Sequence, residues 1–91
     1  MRALVTGATG FVGRYLVSAL RAGGAAVFEC GGPKDGPRAF ALDLEDPATI
    51  AAALDLARPD LVFHLAAQTF VPESFASPVA TYRTNVIGTA N

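Results

Sequence analysis

Three glycines spaced three apart, Gly7, Gly10 and Gly13, are the residues of this chain best suited to chemistry. They bring no side chains. They expose backbone N–H groups, and N–H groups at the start of a helix bind phosphate. A short apolar run, Arg2-Ala3-Leu4-Val5, stops at Thr6, and an amphipathic helical pattern starts at Phe11. Strand, glycine turn and helix in that order let a parallel α/β sheet hold a pyrophosphate. Gly7 permits the tight turn. Gly10 lets the pyrophosphate approach the backbone. Gly13, one turn into the helix, lets helix and strand pack closely. The spacing is Gly-x-x-Gly-x-x-Gly and not the Gly-x-Gly-x-x-Gly of other dinucleotide folds. A glycine-rich turn with no ligand is the alternative. The place of the triplet, directly after a strand, favours phosphate.

The elements that must position this turn follow along the chain. Residues 2–6 form the first strand, and a helix runs from Phe11 to Ala22. Phe11, Val12, Tyr15, Leu16, Ala19 and Leu20 form its apolar stripe. Gly23-Gly24 ends it as a left-handed cap. Ala25 to Cys30 reads as the second strand, residues 31–38 as a loop, and Ala39 to Leu42 as a short third strand ended by Asp43. Asp46 is an N-cap followed by Pro47 at the first helical position. The helix it opens carries Ile50, Leu54 and Ala57 on one face, and Pro59 stops it. Leu61 to Ala66 is a fourth strand, apolar except for His64, which suits a strand buried on both faces. Residues 67–77 read as a loop, and Ser77-Pro78 caps a last helix through Val79, Tyr82, Val86 and Ile87. The fold class expected is α/β: a Rossmann-type doubly wound parallel sheet, first half only, with strand order 3-2-1-4 and right-handed crossovers. The connection from the second to the third strand departs from the ideal, being shorter than the dozen or so residues usual for a parallel crossover.

Composition sets outer bounds. The chain has 91 residues, 52% hydrophobic and 16% charged, so it is core-forming sequence and not disorder. A net charge of −1 gives no reason to expect a nucleic acid or a membrane surface as partner. No apolar run approaches the roughly 20 residues of a membrane span, and no signal peptide precedes the glycines. A single cysteine, Cys30, fits a reducing compartment and a cytoplasmic location, and is expected as a small buried hydrophobe. The helical pattern still running at Asn91 leads to the expectation of an N-terminal piece of a larger enzyme.

Four segments together carry a family resemblance: TGATGFVG at 6–13, DLED at 43–46, FHLAAQ at 63–68 and TYRTNVIGT at 81–89. With them the chain resembles the extended short-chain dehydrogenase/reductases, the NAD(P)-dependent epimerases, dehydratases and reductases of nucleotide sugars. The resemblance covers essentially all 91 residues. Within that family RPDLVFHLAAQ, followed by Val71, Ser74, Pro78 and TNVIGT, looks most like the GDP-4-keto-6-deoxy-mannose reductases, with the GDP-mannose 4,6-dehydratases close behind.

The resemblance implies a set of cofactor-binding residues. Gly7, Gly10 and Gly13 match the pyrophosphate loop, with Phe11 and Val12 giving N–H groups at the helix start. Asp43 and Leu44 match the pair that holds adenine, the carboxylate accepting from its amino group and the leucine packing on its face. Asp43 has an alternative as the cap of its own turn. Leu65, Ala66 and Ala67 match the end of the fourth strand, where small side chains let the cofactor lie close. Gln68 and Thr69 follow and are expected to face nicotinamide or sugar. Asn85 matches a structural asparagine, and His64 is expected as a satisfied core histidine or one that supports the site from behind the residues lining it, ahead of any catalytic role. The family's catalytic Ser/Thr and Tyr-x-x-x-Lys have no match. Tyr82 is followed four residues on by Val86, so no catalytic residue and no metal ligand is assigned.

Cofactor choice is the other departure. An acid usually ends the second strand when NAD is selected, because it binds the ribose 2′-hydroxyl. Here Cys30-Gly31-Gly32 stands there, and Glu29 by alternation points away. Lys34 and Arg38 in the following loop are positioned in sequence to pair with a 2′-phosphate, or they are solvated loop charges. The expectation is NADP or NAD, with NADP favoured. The parent is expected to be a homodimer acting on a nucleotide sugar, most simply by hydride transfer to a 4-keto group. A catalytically silent NADP-binding module is the rival.

Overall fold

The fold is organised around one strand, β1 (Arg2–Thr6), which carries parallel neighbours on both sides. In the computed structural model, which describes residues 1–31 and 38–91, the chain continues through α1 (Phe11–Ala22), β2 (Ala26–Cys30), β3 (Ala39–Phe40), α2 (Pro47–Ala57) and β4 (Leu61–His64). After these come α3 (Val71–Ala76), α4 (Pro78–Tyr82), a π-helical turn (Arg83–Ile87) and α5 (Gly88–Ala90). The strand order is β3-β2-β1-β4, as the sequence implied. Thr6, the last residue of β1, pairs with Cys30 on one side and His64 on the other. All three strands therefore end at one level, and the crevice opens just beyond it. Even β3 pairs in parallel with β2, across a connection of only residues 31 to 38.

Alternation along β1 splits the core in two. Val5 packs with Ala8, Val17 and Val27 beneath α1. Leu4 packs with Phe28, Cys30, Ala53 and Ala57 beneath α2. Val5, Val27 and Cys30 are fully buried, and burial of a valine side chain such as Val5 or Val27 stabilises the fold by about 1.5–3 kcal/mol.

Local chemistry explains the boundaries. Asp46 caps α2, its Oδ1 accepting from Ala48 N–H at 3.0 Å, with Pro47 in the first turn. Arg58, ahead of Pro59, closes that helix in the left-handed region at φ 43°. Helix α1 ends in a pair of reverse bonds, Gly24 N–H to the Arg21 carbonyl and Ala25 N–H to the Leu20 carbonyl. The left-handed residue there is Gly24, while Gly23 has φ −79°.

Several expectations are corrected. The inward face of α1 is Gly13 and Val17 with Leu16 and Leu20 beside them, whereas Phe11, Val12 and Tyr15 are exposed. Period alone cannot say which side of a broad apolar arc faces the sheet. In α2 the buried positions are Ala53 and Ala57, and Leu54 is exposed. Ala25 lies outside β2, held by the helix-ending bond. Strand β3 stops at Phe40, two residues early, and β4 stops at His64, with Leu65 and Ala66 beyond it. Among the described residues β4 is an edge strand, and Leu61 and Val62 are about half exposed. The segment 67–77 contains α3, with Pro72 and Glu73 suiting its first turn. Ser77 offers no side-chain cap; its carbonyl instead accepts from Thr81 N–H and Thr81 Oγ1.

Candidate functional site

The turn after β1 is tight. Gly7 sits at φ +67°, and a Cβ there would lie 2.8 Å from Ala66 N and from the Leu65 carbonyl carbon. Both facts call for glycine. Gly13 faces back onto this turn. Its absent Cβ would overlap the Gly7 carbonyl oxygen and stand 2.9 Å from the Ala8 Cα. The close approach expected at Gly13 is thus to the turn itself and not to the strand. Gly10 differs, because a Cβ there would meet only the Gly7 oxygen, at 3.2 Å. Its other side is open.

That open side is a crevice of about 450 Å³. The glycine turn and the first residues of α1 form one wall, and Leu65, Ala66, Ala67 and Thr69 form the other. The N-terminus of α1 is uncapped: Gly10 has no side chain to accept a bond, and no acid occupies the first turn. The first N–H groups of any α-helix lack partners within it. Those of Phe11, Val12 and Gly13 therefore stand at the crevice with the positive end of the helix dipole. The combination fits an anion approaching the backbone. Thr9 also lines the crevice, a position that sequence does not reveal, since a lone threonine between glycines carries no periodic signal.

The opposite wall is held from both ends. The Thr6 carbonyl accepts from Leu65 N–H at 3.2 Å, and Thr6 Oγ1 accepts from Ala66 N–H at 3.2 Å. Among the described residues Thr6 is the buried polar residue of the core, 5% exposed. It extends the pairing of β1 with β4 past the end of the strand. At the other end, Asn85 Oδ1 accepts from Gln68 N–H at 2.7 Å, and Asn85 Nδ2 donates to the Gln68 carbonyl at 2.9 Å. Asn85 lies in the π-helical turn, and such turns often mark functional regions.

The family model described as "NAD dependent epimerase/dehydratase family" matches residues 3–91 of this chain. The chain belongs to the NAD dependent epimerase/dehydratase family. Among its relatives, the GDP-6-deoxy-D-talose 4-dehydrogenase of Aggregatibacter actinomycetemcomitans is 37% identical, over 100% of this chain and 29% of its own length. The GDP-6-deoxy-D-mannose reductase of Pseudomonas aeruginosa is 39% identical, over 99% of this chain and 27% of its own length. The crystal structure of the Thermus thermophilus UDP-glucose 4-epimerase in complex with NAD superposes with a TM-score of 0.89. It is 35% identical, and the match covers 99% of this chain and 32% of that one. The chain thus spans under a third of the length of these relatives.

The remaining residues that the epimerase/dehydratase resemblance singled out are placed unevenly. Asp43 lies just past β3, exposed, and caps its own turn: its Oδ1 accepts from Glu45 N–H at 3.0 Å. Leu44 is not in the crevice. It packs beneath the sheet, where a Cβ on Gly88 would come within 2.7 Å of its Cβ. There it lines a second, apolar cavity of about 390 Å³ with Leu42, Ile50, Leu54 and Val62. Arg38 is drawn away from the strand ends as well. Its guanidinium lies 5.5 Å above the Phe28 ring, level with the middle of β2. Lys34 lies outside the described residues. The Glu29 carboxylate pairs with Arg21 of α1 and so points away from the crevice, as alternation implied. Gln68, expected to face a ligand, spends its amide internally, with Nε2 donating to Thr81 Oγ1 at 3.1 Å and Oε1 accepting from Phe70 N–H at 2.6 Å. Among the described residues no helix is long and apolar enough to cross a membrane, and no acidic, His and Cys cluster could hold a metal ion.

Proposed function

We propose that this chain is the cofactor-binding portion of an NAD(P)-dependent nucleotide-sugar oxidoreductase, one that reduces a GDP-4-keto-6-deoxy-hexose. The observation that carries the reading is the crevice between the Gly7 turn and Leu65–Ala67, bordered by an uncapped helix N-terminus. Phe11, Val12 and Gly13 bind the pyrophosphate through backbone N–H groups, and Gly10, whose own N–H is spent on the Gly7 carbonyl, lets the phosphate come close to the backbone. Gly7 keeps that backbone in place. Leu65, Ala66 and Ala67 give the cofactor a flat wall, and Asp43 receives the adenine amino group on the carboxylate oxygen not used by Glu45 N–H. The bound nicotinamide supplies or takes the hydride. The names of the two GDP-sugar relatives favour a GDP-linked 6-deoxy sugar over other substrates. A 4,6-dehydratase or 4-epimerase of the same family is the second reading, favoured by the CDP-glucose 4,6-dehydratase relative from Salmonella typhimurium.

Acceptance of NADP alongside NAD rests on the end of β2, where Cys30 and Gly31 leave no carboxylate to repel a 2′-phosphate. A cytoplasmic homodimer completes the proposal. The deciding experiment is calorimetric titration of the full-length protein with NAD(H) and NADP(H), beside Gly10→Val. The branched side chain would stand in the open side of the crevice. Binding is expected to weaken at least about tenfold, or 1.4 kcal/mol. Affinity equal to wild type would overturn the phosphate-loop reading.

A further inference from the structure

We infer that His64 is a positioning residue for the crevice wall, an inference that rests on the cofactor reading above. His64 does not line the crevice, yet both of its ring nitrogens are engaged. Nδ1 lies 2.7 Å from Thr6 Oγ1, and Nε2 lies 3.0 Å from Thr89 Oγ1. Thr89 Oγ1 in turn donates to the Asn85 carbonyl at 2.7 Å.

Donor accounting gives this chain one direction. Thr89 Oγ1 spends its single proton on the Asn85 carbonyl, so toward His64 Nε2 it can only accept, which leaves Nδ1 of the neutral ring to accept the proton of Thr6 Oγ1. The neutral ring then carries its proton on Nε2 and donates to Thr89, whose own proton goes to Asn85. Each hydroxyl donates once and accepts once. The two ends of this relay are the two residues that hold the wall, Thr6 at Leu65–Ala66 and Asn85 at Gln68. His64 therefore links both fixings of segment 65–68. That segment packs against Gly7 so closely that a Cβ there would lie 2.8 Å from Ala66 N, so a shift in it moves one side of the crevice against the other. A ring that kept its shape and lost its nitrogens would take from buried Thr6 its acceptor and from exposed Thr89 its donor within the protein, leaving Thr89 to water and the two fixings unlinked.

The test uses the full-length protein with His64→Phe, Thr89→Val and Thr89→Ser. Two quantities are read: NAD(H) affinity by calorimetry, and hydrogen exchange of peptides covering 65–68, with peptides from α1 as the internal control. His64→Phe and Thr89→Val are expected to weaken NAD(H) binding about tenfold and to speed exchange at 65–68 to a similar degree, with α1 unchanged. Thr89→Ser, which keeps the hydroxyl, is expected to match wild type. Unchanged affinity in both variants overturns the inference, whatever the exchange shows. So does acceleration spread evenly over all peptides, or failure of both variants to fold, because His64 would then serve the whole fold. If only His64→Phe fails to fold, the Thr89 pair decides alone. Wild-type protein that does not bind NAD(H) refutes the cofactor reading itself, and the inference with it. A binding wild type with normal His64→Phe refutes this inference alone.

Discussion

Gly13 is packed against the carbonyl oxygen of Gly7 so closely that no side chain fits between them. The first turn of α1 is thereby pressed onto the turn that precedes it. Two opposed effects meet at Gly13→Ala. Alanine gains up to about 1 kcal/mol over glycine inside a helix. The overlap with backbone, which cannot rotate away as a side chain can, costs about 1–3 kcal/mol or more. Net destabilisation is expected, with a lower urea midpoint and weaker NAD(H) binding. Gly10→Ala meets only one atom, at 3.2 Å, and is expected to leave the midpoint nearly unchanged. Equal midpoints for the two variants would contradict the packing described.

Asp43 combines a turn role with a proposed cofactor role, and two substitutions separate them. Asp43→Asn keeps an oxygen for Glu45 N–H but loses the charge. Asp43→Ala loses both. The asparagine variant is expected to hold wild-type stability while its NAD(H) affinity falls several-fold. The alanine variant is expected to lose about 1 kcal/mol of stability besides, the scale of a lost hydrogen bond. Thermal melts and calorimetry on the same samples give the comparison. Undiminished affinity in both would leave Asp43 as a turn residue alone.

The glycine turn is legible in the sequence because it rests on local chemistry, and the sheet order because right-handed crossovers leave parallel strands few arrangements. Thr6 to Phe11 changes from strand pattern to helix across the glycine turn, and Asp46-Pro47 starts a helix in any context. What escapes a sequence reading depends on contacts distant along the chain. Phe11 and Tyr15 sit on an apolar arc of α1, but Gly13 and Val17 face the sheet, because the Gly7 turn admits only a glycine there. Leu44 matches the adenine face by resemblance, yet it is claimed by Gly88 on a helix over forty residues later. Gln68 looks available for a ligand, and Thr81 and Phe70 take its amide. The role of Thr6 can be suspected from a polar residue closing an apolar strand. Its link through His64 to Thr89 cannot.

Arg38 lies with its guanidinium over Phe28, away from the strand ends. Cofactor choice is therefore expected to be indifferent to it. Arg38→Ala should leave the ratio of NADPH to NADH affinity within about twofold of wild type. A charge-assisted hydrogen bond to the 2′-phosphate is worth about 1.5–3 kcal/mol, and its loss would change that ratio tenfold or more. Paired titrations of wild type and variant read the difference directly. A tenfold fall in NADPH preference would mean that Arg38 leaves Phe28 to meet the ligand.

Residues 1–91, as a purified polypeptide, are expected not to turn over substrate with either cofactor. Reducing a ketone needs an acid placed at the developing alkoxide, a contribution of about 10²–10⁴-fold. The crevice is lined by glycine, alanine and apolar side chains, with Thr9 and Thr69 the polar ones, and none of these is such an acid. Neither tyrosine has a lysine four residues on, Tyr15 being followed by Ala19 and Tyr82 by Val86. Both ring nitrogens of His64 are committed to Thr6 and Thr89. The measurement follows NAD(P)H absorbance with GDP-4-keto-6-deoxy-mannose against a control without protein. Turnover above that control, lost in His64→Ala, would assign to this ring an acid role that its hydrogen bonds argue against.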